Sequence, residues 1–202
     1  MSQELEKWNV EDKEFWDQTG KRVASRNLWI SIPNLLLGFA VWMIWSIIIL
    51  RIQELHEANP AYFPFPGPDG QALSGDAYRA LLYSLPSIAG LASATLRIPN
   101  AFIIALAGGP VSISLTTLLM IIPTLGTGLA LQDPSVSFTT LAVFAFLSGL
   151  GGGAFASSMS NISFFFPKSV QGTSLGLNAG FGNLGVSVTQ VLVPFVMTFA
   201  LF

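Results

Sequence analysis

The chain has 202 residues, 51% of them hydrophobic and 10% charged, against about 25% charged in soluble domains. Residues 1–26 hold five basic and six acidic side chains, whereas residues 80–202 hold only Arg97, Asp133 and Lys168. This excludes a soluble domain; a net charge of −2 without a basic patch gives no sign of nucleic acid as a partner, and the absence of cysteine excludes disulfides and thiolate chemistry.

The expected fold class is therefore all-α, a polytopic membrane helical bundle of about five transmembrane helices with the lipid bilayer as its surroundings. Residues 1–26 form a polar segment without the apolar core of a signal peptide. Asn9, followed by Glu11 and Asp12, is placed to cap a short helix at the membrane surface, where Trp8, Phe15 and Trp16 would anchor it. The first span is expected at 27–50. Lys21, Arg22 and Arg26 precede it, which puts the amino-terminus in the cytoplasm. Residues 51–75 read as an external loop rich in Pro and Gly; its ELHE stretch places His56, the only histidine, between Glu54 and Glu57, a spacing that fits no standard metal site.

The second span is expected at 76–106, with Pro86 and Pro99 about its middle, and Gly108-Gly109-Pro110 makes a tight turn. The third span is expected at 112–131 and the fourth at 138–166, carrying Ser148, Gly152, Phe155, Met159 and Ser163 near one face, with Phe164–Phe166 as an interface belt. The fifth, 171–202, repeats Gly172, Gly176 and Gly180 every four residues, a stripe that permits close helix contact, and continues on that side through Asn183, Ser187 and Gln190. The whole of 27–202 is expected to be one transmembrane domain, ending where a hydrophobic helix ends and so reading as incomplete.

Arg97 is the chemical centre of this pattern. No acid, lysine or histidine lies between Leu81 and Leu106, and a bare guanidinium in mid-bilayer is unfavourable by about 2.5–3.5 kcal/mol on insertion scales. Gly90, Ser93, Ala94 and Arg97 share a helix face, a small polar stripe that ends in the arginine. Its partner is an acid on another helix, a set of carbonyls or a bound anion; a packing or snorkelling role is the plainer reading. The spans offer no Ser-His pair, carboxylate pair or metal ligands, so neither an enzyme nor a cofactor is expected.

Several stretches, in order, resemble the nitrate/nitrite porter family of the major facilitator superfamily: FWDQTGKRVASRNLWISI before and into the first span, LRIPNAF around Arg97, AFASSMSNISFFFPK at the end of the fourth, and GLNAGFGNLGVSVTQ on the fifth. The resemblance implies the amino-terminal portion of a twelve-helix, two-half transporter of the bacterial cytoplasmic membrane that moves nitrate and nitrite by alternating access. It implies that Arg97 grips the anion, Asn183 donates to it and Phe155 packs against it, with Gly180 and Gly182 at the site and Gly172, Gly176 and Gly185 in helix packing. A guanidinium fork suits a planar oxyanion independently of any family.

Three departures accompany the resemblance. Ala179 replaces a further glycine, GGPVSIS lacks the basic residues common after the second helix, and the second half, with its own arginine, is missing. The near absence of acids from the apolar stretches favours nitrate/nitrite exchange (nitrite extrusion) over proton-coupled uptake. The other reading is a non-transporting fragment, or a half-transporter that needs a partner chain.

Overall fold

A computed structural model describes residues 8–199. Its regular elements are helices: α1 (Lys13–Phe15) passes through a π-helical turn (Trp16–Gly20) into α2 (Lys21–Met43) and α3 (Trp45–Ala58), followed by α4 (Gly75–Ala130), α5 (Phe138–Phe165) and α6 (Lys168–Phe199). Four helical stretches are long and apolar enough to cross a membrane: Lys13–Ala58, Gly75–Ala130, Phe138–Phe165 and Lys168–Phe199. The chain is a membrane helical bundle.

The 56 residues of α4 would reach about 84 Å if straight, nearly three times a hydrocarbon core of about 30 Å. The helix breaks at Gly108, where φ is 76° and ψ 171°, a conformation glycine adopts without a Cβ penalty, and Pro110 then occupies the first turn of the next arm. Contacts show the reversal. Ala92 and Ser93 meet Gly149, and Asn100 meets Gly153, so the first arm runs alongside α5 in the same direction. Gly109 then meets Asn161 and Gly126 meets Phe144, so the second arm runs back.

The first helical rod is longer at both ends than the expected span 27–50. Asp12, not Asn9, caps it, accepting the amides of Glu14 at 2.9 Å and Phe15 at 3.4 Å. At the other end α3 continues through 51–58, where a loop was expected, because Arg51–Glu54 (3.0 Å) and Gln53–Glu57 (2.9 Å) pair along its exposed side while Ile52 and His56 are buried on the other. The remaining loop, 59–74, is held down. Phe63, with a positive φ of 53°, gives its amide to the Pro134 carbonyl at 2.6 Å and takes the Tyr78 hydroxyl on its own carbonyl at 3.0 Å.

His56 belongs to that closure. Its Nδ1 lies 2.8 Å from the Tyr62 carbonyl, and its ring stacks on Tyr78 with centroids 4.0 Å apart. Among the described residues no cluster of three or more His, Asp or Glu side chains comes together to hold a metal.

The amino-terminal aromatics pack on the end of α5. Trp8 packs edge-on to Phe15 and Phe165, each at 5.2 Å, and Trp16 packs on Phe166 at 5.9 Å. Phe166 is buried there, Phe165 is half-buried and Phe164 is exposed. At the same end the Glu11 carboxylate accepts the Lys168 amide at 3.0 Å, an acidic cap on the amino-terminus of α6.

Apolar packing is concentrated at the two ends of the bundle. One cluster gathers Trp45, Ile52, Phe63, Phe65, Leu82 and Leu141 beneath the 59–74 loop, and the other gathers Ala24, Leu28, Ile32, Ile162 and Phe166. Between them the helices meet through glycine and small polar side chains.

Candidate anion site

Phe155 owes its place to the glycines before it in α5. A Cβ on Gly151 would collide with the Gly38 carbonyl oxygen, and one on Gly38 would come within 2.9 Å of the Gly151 oxygen, so α2 and α5 touch backbone to backbone there. A Cβ on Gly149 would lie 2.7 Å from the Ser93 amide nitrogen, and one on Gly152 would collide with the Ser93 hydroxyl and lie 3.2 Å from the Trp42 ring. The first arm of α4 is therefore pressed on the same stretch. About one turn further along α5, the Phe155 ring meets Phe39 of α2 at 6.0 Å.

Arg97 lies over the outward side of that ring, its guanidinium carbon 5.7 Å from the Phe155 centroid. A cation over an aromatic face is held by the ring quadrupole. The stripe leading to Arg97 divides: Ser93 is buried against α5, Gly90 is half-buried, and Ala94 and Arg97 are exposed on the flank. Among the described residues the salt bridges involve Arg51 and Arg79, and Arg97 has none. Its guanidinium, with five N–H donors, is part of an exposed side chain and has an aromatic ring beneath it.

Asn183 lies on α6, reached through α2. A Cβ on Gly182 would press on the Leu35 side chain, 3.1 Å from its Cβ, and one on Gly185 would collide with the Leu36 carbonyl oxygen. Leu35 and Leu36 stand about one helical turn from Phe39, so α2 is the spine that carries both halves of the candidate site. Asn183 is exposed, and its amide donates to the Ala179 carbonyl of its own helix at 2.8 Å. Gly172, Gly176 and Gly180 are all exposed, and a Cβ on any of them would meet nothing within 4 Å. The repeating glycine stripe is the open side of α6, and the contacts of this helix fall instead on Gly182 and Gly185.

The inward asparagine is Asn178, which sequence reasoning did not single out. It is fully buried, and its Nδ2 donates to the Ser158 hydroxyl at 2.9 Å, which in turn shares a hydrogen bond with Ser31 at 2.8 Å. This polar pin joins α6, α5 and α2. The signal was present in the spacing: Ser174, Asn178, Gly182, Gly185 and Thr189 are the buried residues of α6, one small or polar stripe at helical period. Of the α5 residues read as a groove, Ser148 takes the Trp45 indole N–H at 2.7 Å and Ser163 takes the Gln171 amide at 2.9 Å. Both serve structure.

Fold and site together define a multi-pass α-helical membrane protein with one cation set on an open flank. Over 198 residues, 98% of its length, the chain is 41% identical to the nitrate/nitrite transporter NarU of Salmonella typhimurium, and over 193 residues it is 42% identical to that of Escherichia coli. It is 39% identical over 195 residues to a protein of Thermus thermophilus named probable nitrate/nitrite antiporter NarK2. No family model matches. Nearly the whole chain aligns with proteins named nitrate/nitrite transporters or antiporters, and it spans 38–39% of the length of these curated relatives.

Proposed function

We propose that the chain is the amino-terminal portion of a transporter that exchanges nitrate and nitrite, and that Arg97 is its anion-gripping residue. One observation carries the reading: the only basic side chain in residues 80–167 is exposed on the flank of the bundle, without a carboxylate partner among the described residues, its guanidinium over Phe155. A planar oxyanion answers a planar fork with two parallel hydrogen bonds, and Phe155 packs against the pair from the ring that holds the guanidinium. Asn183 joins the site by turning its amide from the Ala179 carbonyl toward the anion, with Gly180 and Gly182 beside it.

Counting the arms of α4 separately gives five crossings, with the amino-terminus in the cytoplasm of a bacterial cell by the weight of Lys21, Arg22 and Arg26. The open stripe Gly172–Gly176–Gly180 then faces the carboxy-terminal remainder of the protein, which closes the anion cavity and moves against it during alternating access. Exchange is favoured over proton coupling because the only acid in residues 80–202 is Asp133, in an exposed turn.

The test is nitrate/nitrite exchange in proteoliposomes by the full-length product, comparing the parent with Arg97→Lys. Lysine keeps the charge and loses the fork. Loss of exchange with the fold intact is expected; unchanged exchange would make Arg97 a packing residue and end this assignment.

A further inference from the structure

Trp42 lies outside the anion site, yet from α2 it reaches both α4 and α5, the helices that carry Arg97 and Phe155. Its indole N–H donates to the Ala89 carbonyl at 3.2 Å, on the arm of α4 that carries Arg97 about 12 Å further along. Its ring packs on Phe39 at 5.9 Å, and Phe39 packs on Phe155 at 6.0 Å. Its Cδ2 lies 3.2 Å from where a Cβ on Gly152 would stand, three residues before Phe155, so α5 approaches this ring only because glycine is there. The contacts close a loop across three helices: Arg97 over Phe155, Phe155 on Phe39, Phe39 on Trp42, and Trp42 bonded back to the helix of Arg97.

We infer that Trp42 is a positioning residue, which fixes the distance between the arm bearing Arg97 and the ring of Phe155 and so holds the guanidinium ready for a planar oxyanion. This rests on the anion role of Arg97 proposed above. Two links of the loop are tilted aromatic contacts; the indole hydrogen bond is the one that ties α2 to the backbone of α4. Phenylalanine at position 42 keeps the packing and removes that bond alone.

The measurement is nitrate affinity of the purified full-length product by isothermal titration, for the parent, Trp42→Phe, Arg97→Lys and the double variant. The expected result is that Trp42→Phe weakens nitrate binding about 3- to 10-fold, the range set by one hydrogen bond. In the Arg97→Lys background the same change would have less than about a twofold effect, because the group it positions is gone. A residue that serves stability alone would lower the melting temperature and leave affinity unchanged, or give equal effects in both backgrounds; either result overturns the inference and leaves the anion role of Arg97 standing. A parent that does not bind nitrate, or that binds it as well with Arg97→Lys, removes the anion assignment itself and this inference with it. Should Trp42→Phe fail to fold, Trp42→Leu, which likewise lacks the indole donor, is expected to weaken nitrate binding at least as much, and unchanged affinity would overturn the inference.

Discussion

Two glycines on one helix should respond oppositely to the same added methyl group. Gly185 of α6 faces Leu36, and a Cβ there would collide with the Leu36 carbonyl oxygen and lie 2.9 Å from its carbon and 3.1 Å from its Cα. All three obstacles are backbone, so no rotamer change relieves them; α6 must move away from α2. Overpacking of this kind costs about 1–3 kcal/mol, and the better helix propensity of alanine returns at most about 1 kcal/mol. A net loss of about 1–2 kcal/mol lowers the melting temperature of a chain this size by about 2–8 °C. Gly176→Ala meets nothing within 4 Å, so in the 202-residue chain it should leave the melting temperature unchanged or raise it slightly. Thermal denaturation of both variants in the same detergent decides the matter. A Gly176→Ala variant as destabilised as Gly185→Ala, or a Gly185→Ala variant as stable as the parent, would refute the packing of α6 on α2 through its Gly185 side. In the full-length product Gly176→Ala should instead impair exchange, because the proposed function puts the rest of the protein against that stripe.

Asn178→Ala leaves the Ser158–Ser31 pair without its third member and opens a small gap in a fully buried place; a loss of about 1–3 kcal/mol is expected, read as a lower melting temperature. Glu11→Ala removes the carboxylate that caps α6 at Lys168 and should speed amide exchange in the first turn of that helix, leaving the rest of α6 unaffected; uniform exchange across α6 would argue against the cap. The side-chain and then the backbone hydrogen bonds from Ser135 hold the Asp133 carboxyl below its ordinary value of 3.8. A lowered folded-state value means its contribution is present above pH 3.8 and fades as pH falls through the lowered value. The protection of the Ser135 amide, its exchange rate set against the intrinsic rate at the same pH, should therefore fall in acid in the parent, and be low already at neutral pH in Asp133→Ala.

Much of this architecture is legible in sequence because membrane spans announce themselves by length and polarity. The limits of α5, the break at Gly108 and the start of the second arm of α4 follow from apolar runs and from Gly-Gly-Pro. Residues 51–58 read as loop because they are rich in charge, whereas those charges pair along one side of a helix whose other side buries Ile52 and His56. The direction of α6 is the harder problem. A glycine repeat at four residues looks like a contact surface, yet a repeat of four drifts around a helix of about 3.6 residues per turn; the stripe that is buried in this chain, through Ser174 and Asn178 to Gly185, follows the helical period more closely. Arg97 is conspicuous as an unpaired charge, but its ring neighbour depends on Gly38 and Gly151 meeting across two helices, and nothing local in sequence records that.

The reversal at Gly108 fixes a parity for everything that follows it. Because α4 turns back, the 131–137 turn returns to the same end as the 59–74 loop, as the Phe63–Pro134 hydrogen bond of 2.6 Å attests. The 166–167 connection likewise shares an end with Glu11, which reaches Lys168. A membrane-impermeant label at position 69 and another at position 133 must therefore be reached from one and the same side, whichever way the bundle is inserted, and a label at Lys168 from the other. One glycine torsion decides which residues of this chain can ever face the same solution.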